Sequence, residues 1–216
     1  MRKLLVLLVV TMCAVLAVSA AAQQDLYDNG PTDGFDYAWT LNFGFAVSDR
    51  FTLTNSSEVS SVQFAAWLFP GDVLESAEVS ITSSEFGGTS YFDQTVSFTQ
   101  SGCFSNSGGF NVCTETGNFG PAIALDAGNY WLNLSHATVP SGDPVIWDMN
   151  SGPSLASESS VGTIPSESFT ILAPCEQNAP GCGPPPPTTP EPNSFLLFGS
   201  GILVSGMALA GMKLLR

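Results

Sequence analysis

Positive charge is almost missing from most of this chain. Lys and Arg number 5 against 19 Asp and Glu, a formal net charge of −14. Between Gln23 and Pro190 there is no lysine, Arg50 is the only strong cation, and His136 is the only histidine. Phosphate contacts need cations to displace counterions, so this composition excludes nucleic acid and anionic lipid as partners for that segment. With no phosphate loop and no lysine to reach a phosphate, nucleotide chemistry is excluded too. A serine hydrolase has one candidate base, His136, and no Gly-x-Ser-x-Gly elbow to go with it. A glycosidase needs two carboxylates at a set separation, and so acidic a chain supplies chance pairs too easily to support one. Helical periodicity is also lacking, since no window of a dozen residues between the two ends keeps a 3.6-residue repeat.

The N-terminus is different. Arg2 and Lys3 precede the uncharged run LLVLLVVTMCAVLAV, and Ser19-Ala20-Ala21-Ala22 follows. A basic start, a short apolar core and a small-residue exit describe a secretory signal peptide over residues 1–22. The expected cut by signal peptidase is after Ala22, with Ala20 as the second choice. Cys13 lies inside the apolar run and does not mark a lipoprotein site. The mature chain is therefore expected to work outside the cytoplasm.

From Phe35 to Leu172 the pattern has period two. FAVSDRFTL puts Phe45, Val47, Phe51 and Leu53 on one face, and NYWLNL sets Tyr130, Leu132 and Leu134 against Trp131 and Asn133. AEVSITS, YFDQTVSFT and ESFTIL alternate similarly, while VQFAAWLF is apolar on both faces. Such runs read as half-buried strands around one central strand. Turn signals separate them, among them Pro70-Gly71, Gly87-Gly88 and Ala127-Gly128. The predicted fold of residues 23–174 is all-β, an antiparallel two-sheet sandwich of jelly-roll-like form, with an immunoglobulin-type sandwich as the second choice.

Four cysteines follow the signal region: Cys103, Cys113, Cys175 and Cys182. Disulfides are the default in an oxidising compartment. Four cysteines allow three pairings, and the two local ones are favoured. CFSNSGGFNVC places Gly108-Gly109 midway between its ends, as a hairpin would, and PCEQNAPGC would close a small loop beyond the domain. Zinc fits neither spacing.

After Ala173 the composition turns to Pro, Gly and Cys. The run Pro184 to Pro187 is expected to be extended, so residues 175–189 read as a semi-rigid stalk. Then come Pro190-Glu191-Pro192, an uncharged stretch from Phe195 to Met212, and the cations Lys213 and Arg216. As a helix, residues 195–212 would be about 27 Å long, near the hydrocarbon thickness of a bilayer. Lys213 and Arg216 would hold its cytoplasmic edge by snorkelling. The triplet, the apolar segment, the short basic end and the signal peptide together resemble the PEP-CTERM sorting tail of Gram-negative bacteria. The resemblance covers residues 190–216. It implies that a membrane peptidase of the exosortase type recognises Pro190, Glu191 and Pro192, and that the product goes to the cell surface or extracellular matrix. The two spaced cations depart from the Arg cluster usual in that family.

For the outer domain, two ligand readings arise from the residues. Trp131 with Asn133, and Trp147 with Asp148 and Asn150, offer aromatic surfaces beside amides and a carboxylate, the chemistry that holds a neutral sugar such as an exopolysaccharide unit. The alternative is that these tryptophans are core. DLYDNGPTDGFD offers Asp25, Asp28, Asn29, Asp33 and Asp36 as hard ligands for a structural calcium ion, though Asp, Asn and Gly are equally ordinary turn residues. No cofactor is otherwise expected. The functional expectation is an exported, non-catalytic envelope or matrix protein. A carbohydrate-binding module is the alternative, and a hydrolase of unknown type the third.

Overall fold

A computed structural model describes residues 23–35 and 37–174. Twelve strands run β1 Gln24–Asp28, β2 Ala38–Thr40, β3 Ala46–Leu53, β4 Ser57–Leu68, β5 Ser76–Ser84 and β6 Gly87–Ser105. They continue with β7 Asn111–Leu125, β8 Gly128–Thr138, β9 Ile146–Asp148, β10 Ala156–Glu158, β11 Gly162–Ile164 and β12 Phe169–Ala173. Among the described residues there is no helix. The all-β antiparallel expectation is therefore met for this segment. The expected membrane segment, the stalk, Cys175 and Cys182, the triplet Pro190-Glu191-Pro192, and Lys213 and Arg216 lie outside the described residues, as do the signal region and Asp36.

The strands form one curled sheet in the order β1-β12-β4-β7-β6-β5-β8-β3-β10-β11, with β2 and β9 paired beside β4. β6 makes the curl. Its first half pairs with β5, as in Val79 opposite Gln94, and its second half pairs with β7, as in Phe98 opposite Gly117. One long strand thus belongs to both halves of the sheet. Gly117 lets the halves close here, because a Cβ at that position would overlap the side chains of Val96 and Phe98.

Alternation decides what fills the space between the halves. Val47, Phe51 and Leu53 from β3, Val79 and Ile81 from β5, and Tyr130, Leu132 and Leu134 from β8 are buried, as their period-two spacing predicts. They meet Val62, Phe64, Ala66 and Leu68 from β4 and Phe169 and Ile171 from β12 in a single core. Phe51 of one half touches Phe169 of the other edge-on, with centroids 6.5 Å apart. Trp147 stands against Phe64 and Phe169 at 5.7 and 5.8 Å. β4, read from sequence as the central strand, pairs with β7 along most of its length and with β12 on its other edge.

Candidate functional site

The segment between β1 and β2 is where the acids expected to bind calcium lie. Here two of them cap turns. The Asp28 carboxylate accepts the backbone N–H of Gly30 at 2.9 Å, and that of Asp33 accepts Phe35 N–H at 2.9 Å. Both are Asx turns, the ordinary alternative use of such residues. Asp25 is exposed on the edge strand β1. Among the described residues no group of three or more His, Cys, Asp or Glu side chains is placed to hold a metal ion.

The same segment carries Asn29 into a buried polar seam between β1, β3, β9 and the stretch 149–168. Four acceptors crowd the Asn29 amide: Asp49 Oδ2 at 3.1 Å, Ser154 Oγ at 2.7 Å, Ser166 Oγ at 2.8 Å and the Glu167 carbonyl at 2.7 Å. The Tyr27 hydroxyl donates to its Oδ1 at 2.6 Å. Asn150 crosses the seam by donating to the Asn29 carbonyl at 2.8 Å and accepting from Ser166 Oγ at 2.8 Å. Gly152 packs so closely under the Asn29 carbonyl that no Cβ fits there.

Three carboxyls share this region. Asp49 accepts from Glu167 N–H at 2.8 Å, and Asp148 accepts from Trp67 Nε1 at 2.5 Å and Asp33 N–H at 3.2 Å. Burial pushes both up to about 6, against hydrogen bonds that pull them down. Glu167 is fully buried with neither carboxyl oxygen bonded. Burial, then the neighbouring Asp49 and Asp148, hold it well above the usual carboxylate range. A fourth acid, Glu115, sits in the other direction on β7, opposite Phe64 and Gln100, fully buried and without a partner. Burial raises it to about 7. Desolvation without a counter-cation favours the neutral acid, which donates a proton where a carboxylate cannot.

The residues read as a sugar platform do not come together. Trp147 is fully buried, its indole N–H donating to the Ser168 carbonyl at 2.9 Å. It is core, the alternative raised above, because β9 lies under the curl where a large flat ring fills the space between β4 and β12. Asp148 and Asn150 are buried with it and bonded into the seam. Trp131 lies on β8 in the other half, facing away from the core residues Tyr130 and Leu132. Asn133, beside it, is buried because the β5–β6 turn folds over it. Its side chain accepts from Phe86 N–H at 3.1 Å and donates to Thr82 Oγ1 at 2.9 Å.

Where a ligand could sit is different. A notch of about 270 Å³ opens between the 28–32 segment and the outer side of β4, β7 and β12. Asp28, Thr32, Gln63, Thr114, Ser168 and Thr170 line it. Pro31, Phe64, Ala65 and Phe169 complete its walls, so it offers hydroxyls, an amide and one carboxylate beside apolar surface, a mixed set that a small polyhydroxyl group could use.

His136 lies far from the seam, exposed at the end of β8 with φ of +49°. Ser135 Oγ is 3.0 Å from its Nδ1, and Glu78 Oε2 is 2.7 Å from the same Nδ1. A serine relay needs its hydroxyl and its carboxylate on different ring nitrogens. Both groups here share one, so the ring does not connect them. Cys103 and Cys113 are bonded to each other across β6 and β7, the pairing favoured from sequence. No protein-family profile matches the chain, and no curated protein matches it.

Proposed function

We propose that this chain is an exported, non-catalytic protein of the cell envelope or extracellular matrix, delivered by its C-terminal segment. The tail that resembles a PEP-CTERM signal carries the reading, and the Cys103–Cys113 disulfide in a self-contained β domain supports it. Disulfides persist where the surroundings are oxidising. The curled sheet is read as a jelly-roll-like sandwich, because connections β3–β4, β4–β5 and β7–β8 pass between its halves. Proline disfavours helix in the residue before it, so Pro190 and Pro192 are suited to present the extended backbone that a peptidase grips. An exosortase-type peptidase is the processing partner, and Lys213 and Arg216 are the membrane-edge cations.

Replacing Pro190, Glu191 and Pro192 together by alanine should leave the unprocessed chain in the membrane fraction. Processing and surface delivery unchanged from the native chain would sink the proposal. The carbohydrate-binding alternative now rests on the notch by Thr32, Gln63 and Thr114. Its measure is the retardation of the native chain and of Thr114→Arg in gels containing a neutral polysaccharide. Equal mobility in the presence and absence of the polymer would remove it.

A further inference from the structure

Both ends of the described segment leave at one pole, since Gln24 pairs with Ala173. β4 runs away from that pole, from Ser61 opposite Leu172 to Leu68, roughly 23 Å along the strand. At the far pole three loops meet, residues 41–45, 69–75 and 139–145. They are bonded into one frame. Asn42 Nδ2 donates to the Asp143 carbonyl at 2.9 Å, and Ser141 Oγ donates to Asp72 Oδ2 at 2.7 Å.

This frame displays apolar side chains to solvent. Phe43 is 64 % exposed, Val73 48 %, Phe45 40 % and Phe69 37 %. Phe69 continues through Phe110, with centroids 5.0 Å apart, to Trp67 at 5.7 Å. Phe43 is held at φ of +58°, a left-handed conformation that a non-glycine residue rarely adopts. With the ring largely exposed, packing does not account for that conformation, and Phe86 on the β5–β6 turn shares it at φ of +50°, so the apolar surface and the charge distinguish this pole and the backbone strain does not. The loops contain Asp72, Glu75 and Asp143 and no lysine or arginine.

We propose that this pole docks a basic segment of another protein, one whose Lys or Arg side chains alternate with apolar ones. The charge argues for it: the loops that carry the apolar crown hold an exposed Glu75, a half-buried Asp143 and an Asp72 buried against Ser141, and the whole 23–174 segment carries a single Arg, so a cationic partner is steered to it. Cations also rest favourably on exposed aromatic faces. A second copy is repelled, because each copy presents the same acids. Phe69 and Phe110 stand at 71° and Trp67 and Phe110 at 42°, so these three rings form no single flat platform along which a sugar chain could stack. Such tilted rings leave gaps for apolar side chains. This inference is independent of the route of export.

The test uses the full chain in a non-ionic detergent and two labelled peptides, three repeats of Lys-Phe-Lys-Leu and three of Lys-Ser-Lys-Ser. Anisotropy should show at least tenfold tighter binding of the apolar peptide. Phe43→Gly should abolish that advantage while raising the melting temperature by about 2 to 4 °C, since glycine accepts the left-handed backbone. Phe69→Ser should weaken the apolar peptide similarly. Phe86→Ser, on an exposed turn away from the crown, should retain it. Equal affinity for both peptides, or equal loss in Phe86→Ser, would overturn the proposal. So would self-association that Phe43→Gly removes, which assigns the crown to a second copy. Binding of a neutral polysaccharide that the same variant loses would assign it to sugar.

Discussion

Asn29 shows how much one residue does here and how little its sequence context reveals. In Asp28-Asn29-Gly30 it reads as an ordinary turn residue. In the fold it is fully buried, with four acceptors around an amide that carries two N–H protons. The surplus is relieved within the seam, where Ser166 turns its own hydroxyl to Asn150 and Asp49 takes two backbone N–H groups, from Arg50 at 2.6 Å and from Glu167. Asn29→Ala should therefore cost roughly 2 to 4 kcal/mol, because it leaves several buried groups unpaired at once. Chemical denaturation of the full chain, with the midpoint compared at constant slope, measures this. Asn29→Asp should be worse than alanine at neutral pH, since it sets another carboxyl beside Asp49 and Glu167. The acids of the same segment were legible as turn formers, and two of them do that. No local signal told Asn29 from them, because burial is a property of what folds over a residue.

At the scale of elements, β6 and β7 carry the argument. Their cysteines and the Gly108-Gly109 signal predict a hairpin, and the turn over residues 106–110 forms as expected. Asn106 Oδ1 caps the N–H groups of Gly108 and Phe110, both at 3.0 Å. Gly102 sits in the left-handed region where the register shifts between Ser101 and Phe104, just before the bridged Cys103. The bond closes a sequence separation of 10 residues. Replacing both Cys103 and Cys113 by serine should lower stability by about 2 to 3 kcal/mol through the unfolded chain's regained freedom. Hydrogen exchange should show the loss concentrated in residues 101–113, with β3 and β8 unchanged until global unfolding. Faster exchange spread evenly over all strands would contradict this local role. Strand identity along YFDQTVSFT was readable from alternation. That the same strand serves β5 with one half and β7 with the other was not, because period two sets which side chains share a face and says nothing of the neighbour.

For the whole molecule, the dominant feature is a set of six buried acids, Asp49, Asp72, Glu115, Asp148, Glu158 and Glu167, with no buried Lys or Arg among the described residues. Arg50, the only Lys or Arg among the described residues, is exposed. Asp49 and Asp148 titrate at about 6 and Glu115 at about 7, with Glu167 well above its ordinary value, all chiefly through burial. In each case the folded state holds its proton more tightly than the unfolded chain. Stability is therefore fullest below about pH 4 for these groups and falls as pH rises through 6 and 7. Each group still protonated only in the fold contributes a slope of up to about 1.4 kcal/mol per pH unit. Glu158 works the other way: burial opposes its ionisation, but bonds from Ser159, Ser160 and Val161 outweigh it and lower its pKa. The four raised acids outnumber it. Thermal melts should give a higher midpoint at pH 5 than at pH 8. Glu115→Gln should narrow the gap by raising the midpoint at pH 8 by about 2 to 6 °C while changing it little at pH 5. A midpoint that rises from pH 5 to pH 8 would show these carboxyls already ionised in the fold.

The chain's alternation of apolar and polar residues was sufficient to determine an all-β antiparallel fold and most of its core, and the short Gly-Gly loop favoured the Cys103–Cys113 disulfide over its alternatives, because these depend on local period and short loop closure. Tertiary structure alone decided that Trp147 is core, that Asn29 and Glu167 are interior, and that Phe43, Phe69 and Phe110 share an exposed pole. Those outcomes depend on which distant strands become neighbours when the sheet curls, and contacts across such separations leave no periodic trace along the chain.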